Sequence, residues 1–62
     1  TQKEKLQFLR IAYGSGAEIE TQLIIAKDIG YIKDEDYEKL DSALTEIMKI
    51  LNTLIRKFKN EQ

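Results

Sequence analysis

Two apolar stripes organise this chain. One runs Leu9, Ala12, Gly16, Ile19, Leu23, Ala26, and the other Tyr37, Leu40, Leu44, Ile47, Leu51, Leu54, Phe58. Both advance by alternating steps of three and four, the spacing that returns a side chain to one face of an α-helix. Between them lies Gly30-Tyr31-Ile32-Lys33, long enough only for a tight reversal. The pattern predicts an all-α fold, an antiparallel helical hairpin. Its helices should cover about 2–29 and about 34–59, one helical-hairpin unit across residues 1–62.

Local signals agree with these limits. Thr1 and Glu4 have the spacing of a capping box, which starts the first helix at Gln2. Gly30 supplies the left-handed residue that ends it. The second helix opens near Asp34, a good cap, whereas Lys33 would be a poor one. Asp34, Glu35, Asp36 and Glu38 sit at its positive dipole end, and Arg56, Lys57 and Lys59 at its negative end. Ordinary helix electrostatics account for that distribution.

The two helices differ in how much surface they must hide. The second is apolar over less than half its circumference, with Glu38, Lys39, Ser42, Thr45, Lys49, Thr53 and Arg56 on the far side. The first is apolar over roughly two-thirds of a turn. Phe8, Ile25 and Ile29 widen its stripe on one side, and Leu6, Tyr13, Ala17 and Ile24 on the other. A hairpin partner covers one stripe, so the first helix is expected to touch at least two neighbours. Gly14 and Gly16 fall in its middle, where each costs about 1 kcal/mol relative to Ala. Close helix approach or a local kink would explain them. A phosphate-cradling loop would need a preceding strand and a following Lys-Ser/Thr, and the sequence has neither.

Composition narrows the ways such a chain is stabilised. Sixty-two residues make at most one small domain. With no Cys there is no disulfide, and with no Cys or His there is no structural zinc site. Oligomerisation, or a missing half-domain, is the stabiliser that remains. A start at Thr1 rather than Met fits a piece of a longer chain. No apolar run approaches the ~20 residues that span a bilayer. No basic-then-apolar leader is present either, so a cytoplasmic location without membrane contact is expected. A net charge of −1 gives no global pull on nucleic acid.

Candidate chemistry is sparse. Without His or Cys, nucleophilic triads and Glu-x-x-His di-metal sites are excluded. No metal, cofactor or small-molecule substrate is indicated. Glu20 lies inside the apolar arc of the first helix, flanked by Ser15 and Gln22, while Glu18 faces solvent. One reading makes Glu20 an acid/base residue with a raised pKa. The other, our expectation, makes Glu20 and Gln22 in-face polar residues with structural, interhelical contacts. Tyr13, Tyr31 and Tyr37 offer base-stacking surfaces in principle. Tyr37 holds a stripe position, and Tyr31 follows the helix-ending Gly where an apolar residue packs back, so core and staple roles are expected instead.

Charge is distributed unevenly along the hairpin. Its open end gathers Lys3, Lys5, Arg10, Arg56, Lys57 and Lys59, opposed by Glu4 and Glu61. Asp28, Asp34, Glu35, Asp36, Glu38 and Asp41 collect at the turn. The helix dipole does not account for Lys3 and Lys5, which sit at the wrong end of the first helix for it. Three outcomes are open for the basic end: phosphate-backbone contact, a solvated surface, or a contact to a neighbouring subunit's acidic end.

The run Phe8-Leu9-Arg10-Ile11-Ala12-Tyr13-Gly14-Ser15, then Ala17-Glu18-Ile19-Glu20-Thr21-Gln22-Leu23, then Gly30-Tyr31-Ile32, resembles a known family. It is that of the bacterial four-helix-bundle proteins named after the intervening sequence in 23S rRNA. The likeness spans nearly the whole chain but only the C-terminal half of the family's pattern. Gly16 replaces a larger apolar residue usual there, and Lys33 a usual Ser cap. The resemblance implies half of an up-and-down four-helix bundle, assembled as a homopentamer, with no assigned catalytic residues. A related branch, the accessory variability proteins of diversity-generating retroelements, implies contact with nucleic acid through a basic surface.

Three readings follow. The first is a non-enzymatic, oligomerising helical-bundle protein that contacts RNA or DNA through its basic end. The second is a purely structural or protein-interaction module with no nucleic-acid role. A third, more distant, is an enzyme built around Glu20.

Overall fold

The computed structural model describes residues 1–60. Glu61, counted above with the charges of the open end, lies outside the described residues. Two helices of equal length, α1 (Gln2–Asp28) and α2 (Asp34–Asn60), pack antiparallel. The hairpin measures 45 × 15 × 11 Å. Two helices side by side with no third element packed on them make a single layer among the described residues.

The start of α1 is capped as expected. Thr1 Oγ1 accepts from the Glu4 N–H at 3.2 Å, and the Thr1 hydroxyl donates to Glu4 Oε1 at 3.1 Å. At the other end the Tyr31 N–H donates to the Ala26 carbonyl at 2.8 Å, and the Gly30 N–H to that of Lys27 at 3.1 Å. Those two bonds close a Schellman motif around Gly30, whose φ of 83° is the left-handed conformation the motif requires. Its usual apolar contact is missing. Tyr31 is 81% exposed, so the staple role expected for it is not realised in the hairpin. Helix α2 begins at Asp34, which leaves Lys33 in the cap position. The Lys33 carbonyl accepts the first bond from the Tyr37 N–H at 2.9 Å, but its side chain has no acceptor to offer.

Contact between the helices is a narrow seam. From α1 it takes Leu6, Leu9, Gly16, Leu23 and Lys27; from α2 it takes Tyr37, Asp41, Leu44, Met48, Leu51, Ile55 and Phe58. The α2 members repeat every seven residues in steps of four and three, the pattern of an antiparallel coiled-coil seam. Gly16 is buried and lies directly against Met48, and the Lys27 ammonium sits 4.5 Å above the Tyr37 ring. The two contacts give a consistent pairing along the hairpin. Gly16 thus fulfils the expectation of close helix approach, whereas Gly14 faces open space.

The seam is narrower than the stripes. Ile19 at 47%, Leu40 at 47% and Ile47 at 53% exposure belong to the apolar stripes but lie beside the contact. Asp41, next to Leu40, takes the inward position. Its Oδ1 is enclosed without a hydrogen-bond donor among the described residues. A two-helix contact runs along one line of each helix, and in α2 that line follows the edge of the stripe rather than its centre.

Candidate assembly face and nucleic-acid interface

Apolar side chains left outside the seam gather on one side of the hairpin. In an antiparallel pair, residues displaced to the same side of both seams share a face. On α1 that side carries Phe8, Ile19 and Ile29, with Ile11 and Ile25 next to it on the line opposite the seam; on α2 it carries Leu40, Ala43, Ile47, Ile50 and Leu54. Phe8 and Phe58 meet on it at the open end, where with Thr1, Glu4, Lys5 and Leu9 they line an open groove of about 400 Å³. Phe8 is 70% exposed and Ile11 62%. Leu6 is the one buried apolar side chain among the described residues, and two such helices supply no more core. The excess apolar arc of α1 is therefore a real surface. It continues across α2.

Polar residues break this face at two points. Ser15 and Gln22 stand seven residues apart on the line of α1 that begins at Phe8 and ends at Ile29. Gln22 is thus in an apolar face, as expected, but Glu20 is not beside it. Glu20 lies on the Leu6–Lys27 line at the other edge of the seam, where Tyr13, Glu20, Thr45, Met48, Lys49 and Asn52 line a shallow depression. Both Glu20 and Gln22 are exposed, and neither has a hydrogen bond or ion pair among the described residues. The interhelical polar contact expected of Glu20 is not made within the hairpin. At 100° per residue, two positions separate Glu20 from Gln22 by more than half a turn, which carries them to different faces.

The basic end is genuine but not one patch. Lys3, Lys5 and Arg10 lie in the first turns of α1, beside Arg56, Lys57 and Lys59 in the last turns of α2. All six are exposed and without an ion pair among the described residues. Lys3, Arg10, Arg56 and Lys59 fall on the polar side of the seam, with Lys3 and Arg10 bordering one groove beside Leu6 and Gln7. Lys5 and Lys57 flank the apolar side instead. Lys49 adds to the polar side a turn further in, although Glu46 holds its ammonium at 3.7 Å. The hairpin thus presents an apolar face and a polar face whose open end is basic.

No cluster of three or more His, Cys, Asp or Glu side chains able to hold a metal ion occurs among the described residues. No described helix is long and apolar enough to cross a membrane. Tyr37 takes its core position under Lys27, and Tyr13 sits at the seam edge, 39% exposed. Asp41 is the residue that sequence reasoning placed with the turn-end acids and missed as a seam residue. The signal was present in its spacing of seven from Met48.

Comparison with known proteins returned no matching curated protein and no matching solved structure. The family model for the 23S rRNA-intervening sequence protein matches residues 1–53. That match takes in all of α1, the reversal and most of α2, including the motif from Phe8 to Leu23 and the Gly30-Tyr31-Ile32 turn. The chain belongs to the 23S rRNA-intervening sequence protein family.

Proposed function

We propose that this chain is a non-enzymatic assembly unit: its apolar face is buried in a homo-oligomer of stacked helices, and its basic polar side contacts RNA or DNA phosphates in the cytoplasm. One observation carries the reading. Most of the exposed apolar side chains lie on one side of the hairpin and four of the six unpaired cations, Lys3, Arg10, Arg56 and Lys59, on the other, so covering the first leaves those four free. Stacking a second two-helix layer on the apolar face gives a four-helix bundle, with a core between the layers that one layer lacks. Phosphate contact would then rest on Lys3, Arg10, Arg56 and Lys59, and repetition of the cluster around an oligomer makes weak contacts multivalent.

Two measurements test this together. Sedimentation equilibrium at micromolar concentration should find an oligomer, because the isolated layer leaves too much apolar surface in water. Fluorescence anisotropy with a labelled RNA should find binding that weakens steeply as salt rises, with little preference for sequence. Assembly without binding at low salt would reduce the protein to a structural module. A folded, cooperative monomer would remove the assembly reading.

A further inference from the structure

We propose that the depression on the polar side of the seam holds one unpaired base of a single-stranded nucleic acid, stacked on Tyr13, while the neighbouring cations hold the phosphates beside it. This rests on the nucleic-acid contact proposed above. It adds the form of the nucleic acid and the place of a base.

Tyr13 is an aromatic ring that the hairpin leaves unused. It stands at the seam edge, 39% exposed, and its hydroxyl has no hydrogen bond among the described residues. The other rings are engaged or distant. Tyr37 lies under the Lys27 ammonium, Phe8 and Phe58 line the apolar groove, and Tyr31 projects from the turn at the far end. That leaves Tyr13 as the ring beside the cations of the polar side.

The recess next to it has the lining of a base site. Its volume is about 270 Å³, enough for one base. Met48 contributes a polarizable thioether to its wall, a group that packs well against flat rings. Asn52 and Thr45 border it, and neither side chain has a hydrogen bond among the described residues. A carboxamide both donates and accepts, as does a hydroxyl, so the pair can meet the edge of any base. Stacking is equally tolerant of sequence, because every base has a π-face.

The cations stand where the phosphates of such a strand would run. The Gly16–Met48 and Lys27–Tyr37 contacts fix the pairing of the helices, which sets Tyr13 level with Leu51 and Asn52. Arg10 then lies about one turn from Tyr13 along α1, and Arg56 about one turn from Asn52 along α2, both toward the open end. Lys49 borders the recess itself, and its exposed ion pair with Glu46 is weak enough to yield to a phosphate. Glu20 borders the inner side, about three turns from Arg10, clear of the phosphates that Arg10 and Arg56 would hold. A duplex keeps its bases stacked and offers this surface only phosphates, whereas a single strand turns out a base at little cost.

The protein contains no Trp, so Tyr13→Trp introduces a lone indole fluorophore that stacks as the tyrosine does. Oligouridylate should quench its emission saturably, over the concentrations at which the anisotropy of the labelled oligouridylate rises. Tyr13→Leu should weaken oligouridylate binding about tenfold, the loss of one stacked base. It should leave the binding of double-stranded RNA, and the salt slopes of both, as in the parent. Tyr13→Phe should keep the parent's affinity. Circular dichroism and sedimentation check that each variant retains fold and assembly; if Tyr13→Leu alters either, the quenching of Tyr13→Trp decides alone. Equal effects of Tyr13→Leu on single strand and duplex, or an indole that stays bright while anisotropy reports binding, overturn the base site and leave phosphate contact standing. An indole shielded from acrylamide as well as from RNA means that a protein segment fills the recess, and the inference fails. No binding of either RNA at low salt removes the nucleic-acid reading itself.

Discussion

Met48 lies across the backbone of α1 at Gly16. A Cβ built on that glycine would collide with the Met48 sulfur, and would stand 3.3 Å from Cε and 3.7 Å from Cγ. The two residues divide one volume, which brings the helices together at that level. Thioethers are flexible, so the arrangement tolerates some change. Gly14 offers a contrast in the same helix, since a Cβ there meets nothing within 4 Å.

The contrast predicts opposite outcomes for one chemical change. Gly14→Ala should stabilise the chain by up to about 1 kcal/mol through helix propensity and a stiffer unfolded state. Gly16→Ala gains the same term but must displace Met48, an overpacking cost of about 1–3 kcal/mol that cancels or reverses it. Shortening Met48 to Ala should restore the benefit, and a double-mutant cycle in thermal or urea unfolding should show coupling of about 1 kcal/mol. Independent, additive effects would show that Met48 does not rest on Gly16 in solution.

Asp41 is the weak point of the seam. An enclosed carboxylate oxygen without a donor loses hydration and gains nothing in return. Asp41→Leu should stabilise the hairpin by about 1–2 kcal/mol without changing its helicity. A destabilised variant would mean that Asp41 has a partner in the assembled protein.

Element boundaries and the reversal were legible in the sequence because each has a local cause. The Thr1–Glu4 box and Gly30 act within a few residues, and the structure realises both. Which line of each helix faces the other was less legible. Leu40 and Asp41 both fit a spacing of three and four, and hydrophobicity favours Leu40. The hairpin nevertheless turns Leu40 outward, toward a surface that one layer cannot cover. Glu20 stays within the apolar arc, on the line of Tyr13 and Lys27, but away from Gln22. An arc spanning two-thirds of α1 holds two faces, and Glu20 and Gln22 mark opposite sides of it.

Those two sides make the assembly reading sharp. Ile47→Asp puts a charge in the middle of the apolar face and should shift the chain from oligomer to monomer, with loss of helicity on dilution. Ile24→Asp lies on the polar side of α1 and should leave the sedimentation profile unchanged. Equal effects would show that both faces of α1 are buried in the assembly.

Glu20 provides a control for the enzymatic reading. Its side chain is exposed and makes no hydrogen bond among the described residues, so Glu20→Gln should change stability by less than about 0.5 kcal/mol. Assembly and nucleic-acid binding should be untouched. A variant with unaltered fold that lost a measurable turnover would replace the non-enzymatic reading with a catalytic one.

The basic end can be divided experimentally, because its cations point to different sides. Arg10 and Arg56 face away from the apolar surface, so replacing both with Gln should spare assembly. If they contact phosphate, each removal lowers the salt dependence of RNA binding by about one unit of slope on logarithmic axes, and affinity falls alike for unrelated sequences. Lys5 and Lys57 flank the apolar face, and replacing them should act mainly on association between copies. Should the Arg10 and Arg56 replacements leave both affinity and slope unchanged, the polar side is merely solvated. The protein's role would then lie in assembly alone.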